Sequence, residues 1–148
     1  MKIVLQRVKE ASVSINGVTT ASINSGYLLL LGISSNDTYA QADQLCAKIS
    51  NLRIFADENG KTNINIKDIK GEVLIVSQFT LYADCRKGNR PSFTDAATPA
   101  FAEEIYEYFI NASRPFFSKV ACGEFGAYMQ VSLINDGPFT LVLESKGV

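Results

Sequence analysis

Residues 2–32, KIVLQRVKEASVSINGVTTASINSGYLLLLG, decide the fold of this chain. The first half alternates apolar and polar residues, as half-buried β-strands do, up to the dipeptide Asn16-Gly17. Asn-Gly between two such runs is the strongest short signal for a β-hairpin, so a return strand is predicted over 18–23. After a second turn at Asn24-Ser25-Gly26, residues 27–33 are apolar on both faces, which is typical of a covered central strand. The fold therefore begins as an antiparallel sheet.

Two helices are predicted beyond this stretch. The first begins after one of three possible capping residues, Asn36, Asp37 or Thr38. Its apolar residues recur at the i, i+3, i+4, i+7 spacing of one helical face, namely Ala42, Leu45, Cys46, Ile49 and Leu52. The second has Thr98 as its cap and Pro99 at its first position. Its predicted buried residues are Phe101, Ile105, Tyr108, Phe109 and Ala112.

The remaining apolar runs predict further strands, over 72–81, 119–122, 127–134 and 139–143, with a turn at Asn135-Asp136-Gly137-Pro138. Many short strands linked mostly by hairpins, together with two helices, predict an α+β fold. We expect one domain over 1–148, with a mostly antiparallel, barrel-like sheet and two main helices packed on it. A doubly wound βαβ fold is less favoured, because helices follow only two of the strands.

The composition excludes much of the usual enzyme chemistry. Fourteen Lys and Arg and fifteen Asp and Glu leave a net charge of −1, and the chain has no histidine. A Ser-His-Asp triad, a Cys-His pair and a histidine zinc site are therefore excluded. The near-neutral charge argues against non-specific binding of long nucleic acid, but it does not exclude a local basic patch.

The three cysteines, Cys46, Cys85 and Cys122, are too far apart in the sequence to form a CxxC redox or zinc motif. We expect reduced thiols that act as small buried hydrophobic groups, and neither a metal nor a cofactor. The first residues lack the continuous apolar core of a signal peptide, and the longest apolar run is far shorter than the ~18 residues of a membrane span. A cytoplasmic location without membrane contact is expected.

Three segments could carry chemistry. Ser77-Gln78-Phe79-Thr80, at the end of a buried strand, could surround a carbonyl oxygen as an oxyanion hole, or it could simply end the strand. Gly137-Pro138 could present unpaired carbonyl groups to a ligand, or it could form a plain turn. The loop 84–95 could bind phosphates and stack on a base, or it could be a solvated loop. Its basic and aromatic residues are Arg86, Lys87, Arg90 and Phe93.

Taken together, five strings resemble the D-aminoacyl-tRNA deacylase family. They are Gln6-Arg7-Val8, Gly71-Glu72-Val73-Leu74-Ile75-Val76, Ser77-Gln78-Phe79-Thr80-Leu81, Lys87-Gly88-Asn89-Arg90-Pro91-Ser92-Phe93 and Asn135-Asp136-Gly137-Pro138-Phe139-Thr140. The similarity runs from residue 1 to about 144, and the order and spacing of the strings make it specific. Two positions depart from the family pattern: Phe139 stands where valine is common, and Cys85 is not a residue the family requires.

The resemblance implies a homodimer that hydrolyses the ester between a D-amino acid and the 3′ end of tRNA, and that also removes mischarged glycine. It places the ester carbonyl against Ser77, Gln78, Phe79 and Thr80. It also implies a cis peptide at Gly137-Pro138 that reaches into the partner's pocket and excludes L-amino acids. Arg7 and Met129 would lie beside that loop, Phe125 would line the pocket of the terminal adenine, and Arg86, Lys87 and Arg90 would contact tRNA.

The resemblance leaves the mechanism open. Thr80 could attack the ester, but no side chain near it in the sequence can take its proton. We favour attack by water with help from the free hydroxyl of the terminal ribose. The competing interpretations are a non-catalytic tRNA- or peptide-binding module on the same fold and a threonine-nucleophile amide hydrolase.

Overall fold

The computed structural model describes residues 1–145. In chain order the elements are β1 (Lys2–Ile15), β2 (Val18–Ile23), β3 (Gly26–Gly32), α1 (Tyr39–Asn51), β4 (Phe55–Ala56), β5 (Thr62–Ile64), β6 (Glu72–Ser77), a 3-10 helix (Phe79–Tyr82), α2 (Pro99–Ser113), β7 (Lys119–Cys122) and β8 (Gln130–Glu144). No helix among the described residues has the length and apolar character needed to cross a membrane.

The long strand β1 organises the sheet. β2 and β3 pair antiparallel with successive stretches of β1, from Ile15 back to Ala11 and from Val8 back to Lys2. β8 pairs antiparallel with almost the full length of β1. Because a strand has only two hydrogen-bonding edges, β2 and β3 share one edge of β1 and β8 occupies the other. The predicted Asn16-Gly17 hairpin is confirmed, with positive φ angles of 52° and 77° at its two turn residues.

The α+β class and the two packed helices are confirmed, but the sheet is mixed. β6 pairs parallel with β3 and β7 pairs parallel with β6. Together these strands form one six-stranded sheet, while β4 and β5 form a separate two-stranded sheet. The predicted central strand at 27–33 is therefore flanked by β1 on one side and β6 on the other.

The strands of the sheet bury side chains on both faces. One apolar cluster lies between the sheet and the helices and contains Leu29, Ile75 and Phe109. A second cluster covers the other face and contains Leu28 and Leu74. The alternation of neighbouring residues between the two clusters explains why these strands are apolar at every position.

Both predicted helices form, and their details differ from the sequence pattern. Thr38 is the cap of α1 and forms a capping box with Gln41. Pro99 begins α2 as predicted, whereas the Thr98 side chain makes no capping hydrogen bond. Tyr108 was predicted on the buried face of α2, but the buried tyrosine is Tyr106. Tyr108 lies at the edge of this face, where its hydroxyl donates to the Asp43 carboxylate.

Two predicted strand boundaries were wrong. The strand predicted over 72–81 ends at Ser77, and the chain then turns into a 3-10 helix. The turn predicted at 135–138 is part of the continuous strand β8, which shifts its register against β1 at this point. A bulge of this kind adds residues to one strand while the ladder continues on both sides.

The prediction that the cysteines are buried was correct for one of the three residues. Cys46 is buried beneath α2, and burial raises the pKa of its thiol to about 11. Cys85 and Cys122 are exposed, on a loop and at the end of β7, so they do not serve as buried hydrophobic groups.

The hydroxyl of Tyr106 ties α2 to the sheet and to the segment that follows β7. It lies 2.9 Å from the carbonyl oxygens of both Ile75 and Gly123, and it is buried. Burial raises the pKa of this hydroxyl, which therefore stays protonated and donates. This contact fixes where the segment after β7 crosses the end of β6.

We predict that Tyr106→Phe lowers the free energy of unfolding by about 1–3 kcal/mol, because it leaves the buried Gly123 carbonyl oxygen without this donor, while Ile75 keeps the Gly123 N–H. Tyr108→Phe is the matched control. Its hydroxyl donates at the exposed surface, so its loss should change stability by less than about 0.5 kcal/mol. Urea unfolding of the two variants gives the comparison, and equal losses would contradict the role assigned to Tyr106.

Candidate active site

A cavity of about 490 Å³ opens where β6 ends, between the first turn of α2 and the segment after β7. Its volume lies in the range of small-molecule sites, roughly 300–1,000 Å³. It brings together five of the residues that sequence reasoning singled out, Ser77, Gln78, Phe79, Phe125 and Met129. The rest of the lining is mostly apolar, with small residues from the start of α2.

The polar mouth of the cavity is built where the chain leaves β6. Gln78 donates its backbone N–H to the Leu31 carbonyl oxygen at 2.8 Å, which is the last bond before the 3-10 helix begins. The first N–H groups of a helical turn have no acceptor within the helix. Those of Phe79 and Thr80 make no hydrogen bond with residues 1–145.

Ser77, Gln78 and Phe79 line the cavity, whereas Thr80, the fourth predicted residue of this segment, is not part of its lining. Phe79 is 57% exposed and Thr80 is exposed as well. The Gln78 carboxamide donates to the Thr80 hydroxyl. The segment therefore carries two backbone N–H donors without a partner among residues 1–145, together with a carboxamide and a hydroxyl that are bonded to each other. No basic side chain is hydrogen-bonded to Thr80 among the described residues.

The far wall of the cavity is the segment after β7. Gly123 donates its N–H to the Ile75 carbonyl oxygen at 2.9 Å, so the segment continues the sheet for one more residue. A Cβ on Gly123 would lie 2.4 Å from the Met129 sulfur, and only glycine lets Met129 pack this closely. Phe125 packs against Tyr106, with ring centroids 5.8 Å apart. These contacts fix Phe125 and Met129 as wall residues.

Sequence reasoning missed several of the wall residues. Pro99 and Ala102 line the cavity from α2, and Tyr128 lines it from the opposite rim. The i, i+3 spacing of the two small residues at the start of α2 was a usable signal, because it places both on one helical face. Tyr128, which is 87% exposed, carried no periodic signal.

Arg7 organises a second place, away from the cavity. Its guanidinium donates to the carbonyl oxygen of Asp136 at 2.9 Å and to that of Gly137 at 3.5 Å, and it contacts the Asp136 carboxylate at 3.2 Å. It also lies over the ring of Phe139, 4.4 Å from the centroid. The carbonyl groups that the sequence suggested could be unpaired are therefore held by Arg7.

The Gly137-Pro138 peptide is cis, and both residues are exposed. Within residues 1–145, the residues that line the cavity of the same chain do not include Gly137, Pro138 or Arg7. The structure thus separates two groups of predicted site residues, a cavity group and an Arg7–Pro138 group.

The basic loop forms a third group beside the mouth. Backbone hydrogen bonds between Asp84 and Ser92, at 2.7 and 3.0 Å, close the loop at its base. Arg86 donates two side-chain hydrogen bonds to the Asp84 carboxylate, at 2.8 and 2.7 Å, and these with its backbone N–H hold the pKa of Asp84 at about 2. Lys87 and Arg90 are exposed and form no ion pair with the described residues. The same residues 1–145 contain no group of three or more His, Cys, Asp or Glu placed to hold a metal ion.

Comparison with known structures supports the fold. A solved structure described as a c-Myc DNA unwinding element binding protein superposes with a TM-score of 0.91, at 44% identity, covering 97% of this chain and 98% of that chain. A probable eukaryotic D-amino acid tRNA deacylase superposes with a TM-score of 0.84 at 16% identity, which is evidence for the fold alone.

Comparison of sequences identifies the family. The D-aminoacyl-tRNA deacylase of Thermosipho africanus is 55% identical over 148 residues, covering 100% of this chain and 99% of that protein. The deacylase of Bacillus thuringiensis is 54% identical over 146 residues, covering 99% of this chain and 100% of that protein. The family model described as D-Tyr-tRNA(Tyr) deacylase matches residues 4–144. The chain therefore belongs to the D-Tyr-tRNA(Tyr) deacylase family, and the hydrolase class expected from its sequence is confirmed.

Proposed function

We propose that this protein hydrolyses the ester that joins a D-amino acid, or glycine, to the terminal ribose of tRNA, including glycine mischarged on tRNA-Ala. The observation that carries the proposal is the cavity itself, which combines an apolar interior with unpaired N–H donors at its mouth in a chain of this family. The interior suits an adenine base beside Phe125, and the mouth suits the ester carbonyl. The activity would act on aminoacylated tRNA in the cytoplasm.

The mouth stabilises the oxyanion in this proposal. The N–H groups of Phe79 and Thr80, which have no partner among residues 1–145, and the Gln78 carboxamide would supply the donors. Such donors act where negative charge develops in the transition state. The attacking water would be activated by the free hydroxyl of the terminal ribose, since the chain has no histidine and no base within residues 1–145 is hydrogen-bonded to Thr80.

Chirality would be read by the Gly137-Pro138 backbone of a second copy. Both residues are exposed and lie outside the cavity of their own chain, so only another subunit can bring them to a cavity. Two further features favour self-association: β8 pairs only with β1 among the described strands, and it exposes Ile134 at 51% and Val142 at 67%. A backbone wall tests the configuration at Cα without contacting the side chain, so any D side chain and glycine can enter.

We predict that the protein deacylates D-tyrosyl-tRNA and glycyl-tRNA rapidly and spares L-tyrosyl-tRNA, with chelator present throughout. Release of amino acid from matched esters measures this directly. Hydrolysis of the L ester at a comparable rate would contradict the chirality wall. Binding of all three without hydrolysis would instead favour the non-catalytic tRNA-binding module.

We predict that Gln78→Ala lowers kcat by about 10²- to 10³-fold, as loss of an oxyanion donor does. Thr80→Val should lower kcat by less than about 10-fold, because it removes one hydrogen-bond partner of Gln78 and no nucleophile. Single-turnover deacylation of D-tyrosyl-tRNA compares the two, and a substrate lacking the free terminal hydroxyl should react slowly with both. Abolition of turnover in Thr80→Val with unchanged tRNA binding would favour a threonine nucleophile.

We predict that Arg7→Lys hydrolyses L-tyrosyl-tRNA as well, because a lysine cannot hold both carbonyl groups that the guanidinium holds. Co-expression of this variant with Gln78→Ala then tests whether the wall acts between subunits. The Arg7→Lys chain keeps an intact cavity and the Gln78→Ala chain keeps an intact wall. In an equal mixture, about half of the Arg7→Lys chains would pair with a Gln78→Ala chain, whose wall would again exclude the L ester. L-ester hydrolysis per Arg7→Lys chain should therefore fall by about half. An unchanged rate would place the wall and the cavity in the same chain.

A further inference from the structure

The cavity has room for the end of an RNA chain and no more. Its volume of about 490 Å³ suits one nucleoside with its aminoacyl group, so the rest of a single-stranded 3′ end must cross the rim. The features of that rim decide which nucleotides the protein can hold. This inference rests on the proposed function and concerns where the preceding nucleotides bind.

One side of the rim carries two exposed aromatic rings in contact. Phe79 is 57% exposed and Phe93 is 37% exposed. Their ring centroids are 5.1 Å apart and their planes meet at 67°, so the edge of one ring meets the face of the other. Phe93 is fixed here because Ala96 donates to its carbonyl oxygen at 3.1 Å and Ala97 donates to Ile33 at 3.0 Å.

The loop that leads into Phe93 carries positive charge without an ion-pair partner among residues 1–145. Lys87 and Arg90 lie on the loop that runs from Asp84 to Ser92, directly before Phe93. Arg86 is ion-paired with Asp84 at 2.7 Å, so it braces the loop while Lys87 and Arg90 remain available. The opposite rim exposes Tyr128, and the only charged residue near it in the sequence is Glu124, which would repel a phosphate.

An exposed aromatic beside unpaired cations is the arrangement by which proteins bind single-stranded nucleic acid. The ring stacks on a base of any sequence, and the cations neutralise the adjoining phosphates. We propose that Phe93, supported by the edge contact with Phe79, stacks on the base that precedes the terminal nucleoside of the substrate RNA. Lys87 and Arg90 bind the phosphates on either side of that base.

The test compares a long and a short substrate in the same variant. D-tyrosyl-tRNA carries the preceding nucleotides, whereas D-tyrosyl-adenosine ends at the nucleoside that fills the cavity. Phe93→Leu should lower kcat/KM for D-tyrosyl-tRNA by about 5- to 100-fold, mainly through KM, and leave D-tyrosyl-adenosine within about 2-fold. Phe93→Tyr should restore the rate on tRNA, because it restores the ring.

Salt dependence tests the two cations separately. Each of Lys87→Gln and Arg90→Gln should reduce the slope of log kcat/KM against log salt by about 0.7 for the tRNA substrate, the value for one phosphate contact on a single strand. The slope for D-tyrosyl-adenosine should not change. Lys61→Gln is the control. Lys61 is an exposed lysine in the connection between β4 and β5, so its substitution should leave both slopes unchanged.

Tyr39→Leu is the matched aromatic control. Tyr39 is 44% exposed and contacts a second ring, that of Tyr108, at 4.5 Å, but its neighbour is the Glu104 carboxylate rather than a cation. It should leave both substrates unaffected. Equal loss on tRNA and on adenosine in Phe93→Leu, or no loss on either, would overturn the inference. Failure of the wild type to cleave D-tyrosyl-adenosine and D-tyrosyl-tRNA would instead refute the proposed function.

Discussion

The pairing of β1 with three other strands is the constraint on which the rest of the structure depends. The register between β1 and β3 fixes β3, and the parallel register of β3 with β6 places Ser77 opposite Leu31. The next backbone bond, from Gln78 to the Leu31 carbonyl oxygen, sets where the mouth of the cavity begins. The other edge of β1 holds β8, and with it the bulge at Gly137. The cavity group and the Arg7–Pro138 group are therefore positioned by hydrogen bonds to β1 or to its neighbour β3.

The local part of this arrangement could be predicted from the sequence, because turns and periodicity are local signals. The Asn16-Gly17 hairpin, the return strand and the two helices formed as expected. The parallel pairing of β6 and β7 could not be predicted, since no local signal distinguishes a parallel from an antiparallel buried strand. Pro138 led to the wrong prediction of a turn, and the reason is physical. Proline normally breaks a ladder, but an edge strand with a bulge tolerates it, and β8 is such a strand.

The candidate site shows the same division. Ser77 and Gln78 were singled out by their position at the end of a buried strand, Phe125 and Met129 only by the family resemblance, and the structure places all four around one cavity. The residues that hold this cavity in shape gave no such signal. The Tyr106 hydroxyl reaches two carbonyl groups that are far away in sequence, and Met129 packs on a bare glycine. Contacts of this kind depend on tertiary packing, so neither composition nor periodicity contains them.

Charge explains how a nearly neutral chain can serve an RNA substrate. The helix layer exposes Glu103, Glu104 and Glu107 on α2 and Asp43 on α1. In the complex that we propose, such a face repels a phosphate backbone, while Lys87 and Arg90 attract it. With two cations in this proposed contact, Lys87 and Arg90, the apolar cavity and stacking would supply more of the binding free energy than counterion release. An enzyme that binds RNA in the way we propose would recognise the end of the chain and discriminate little among the sequences behind it.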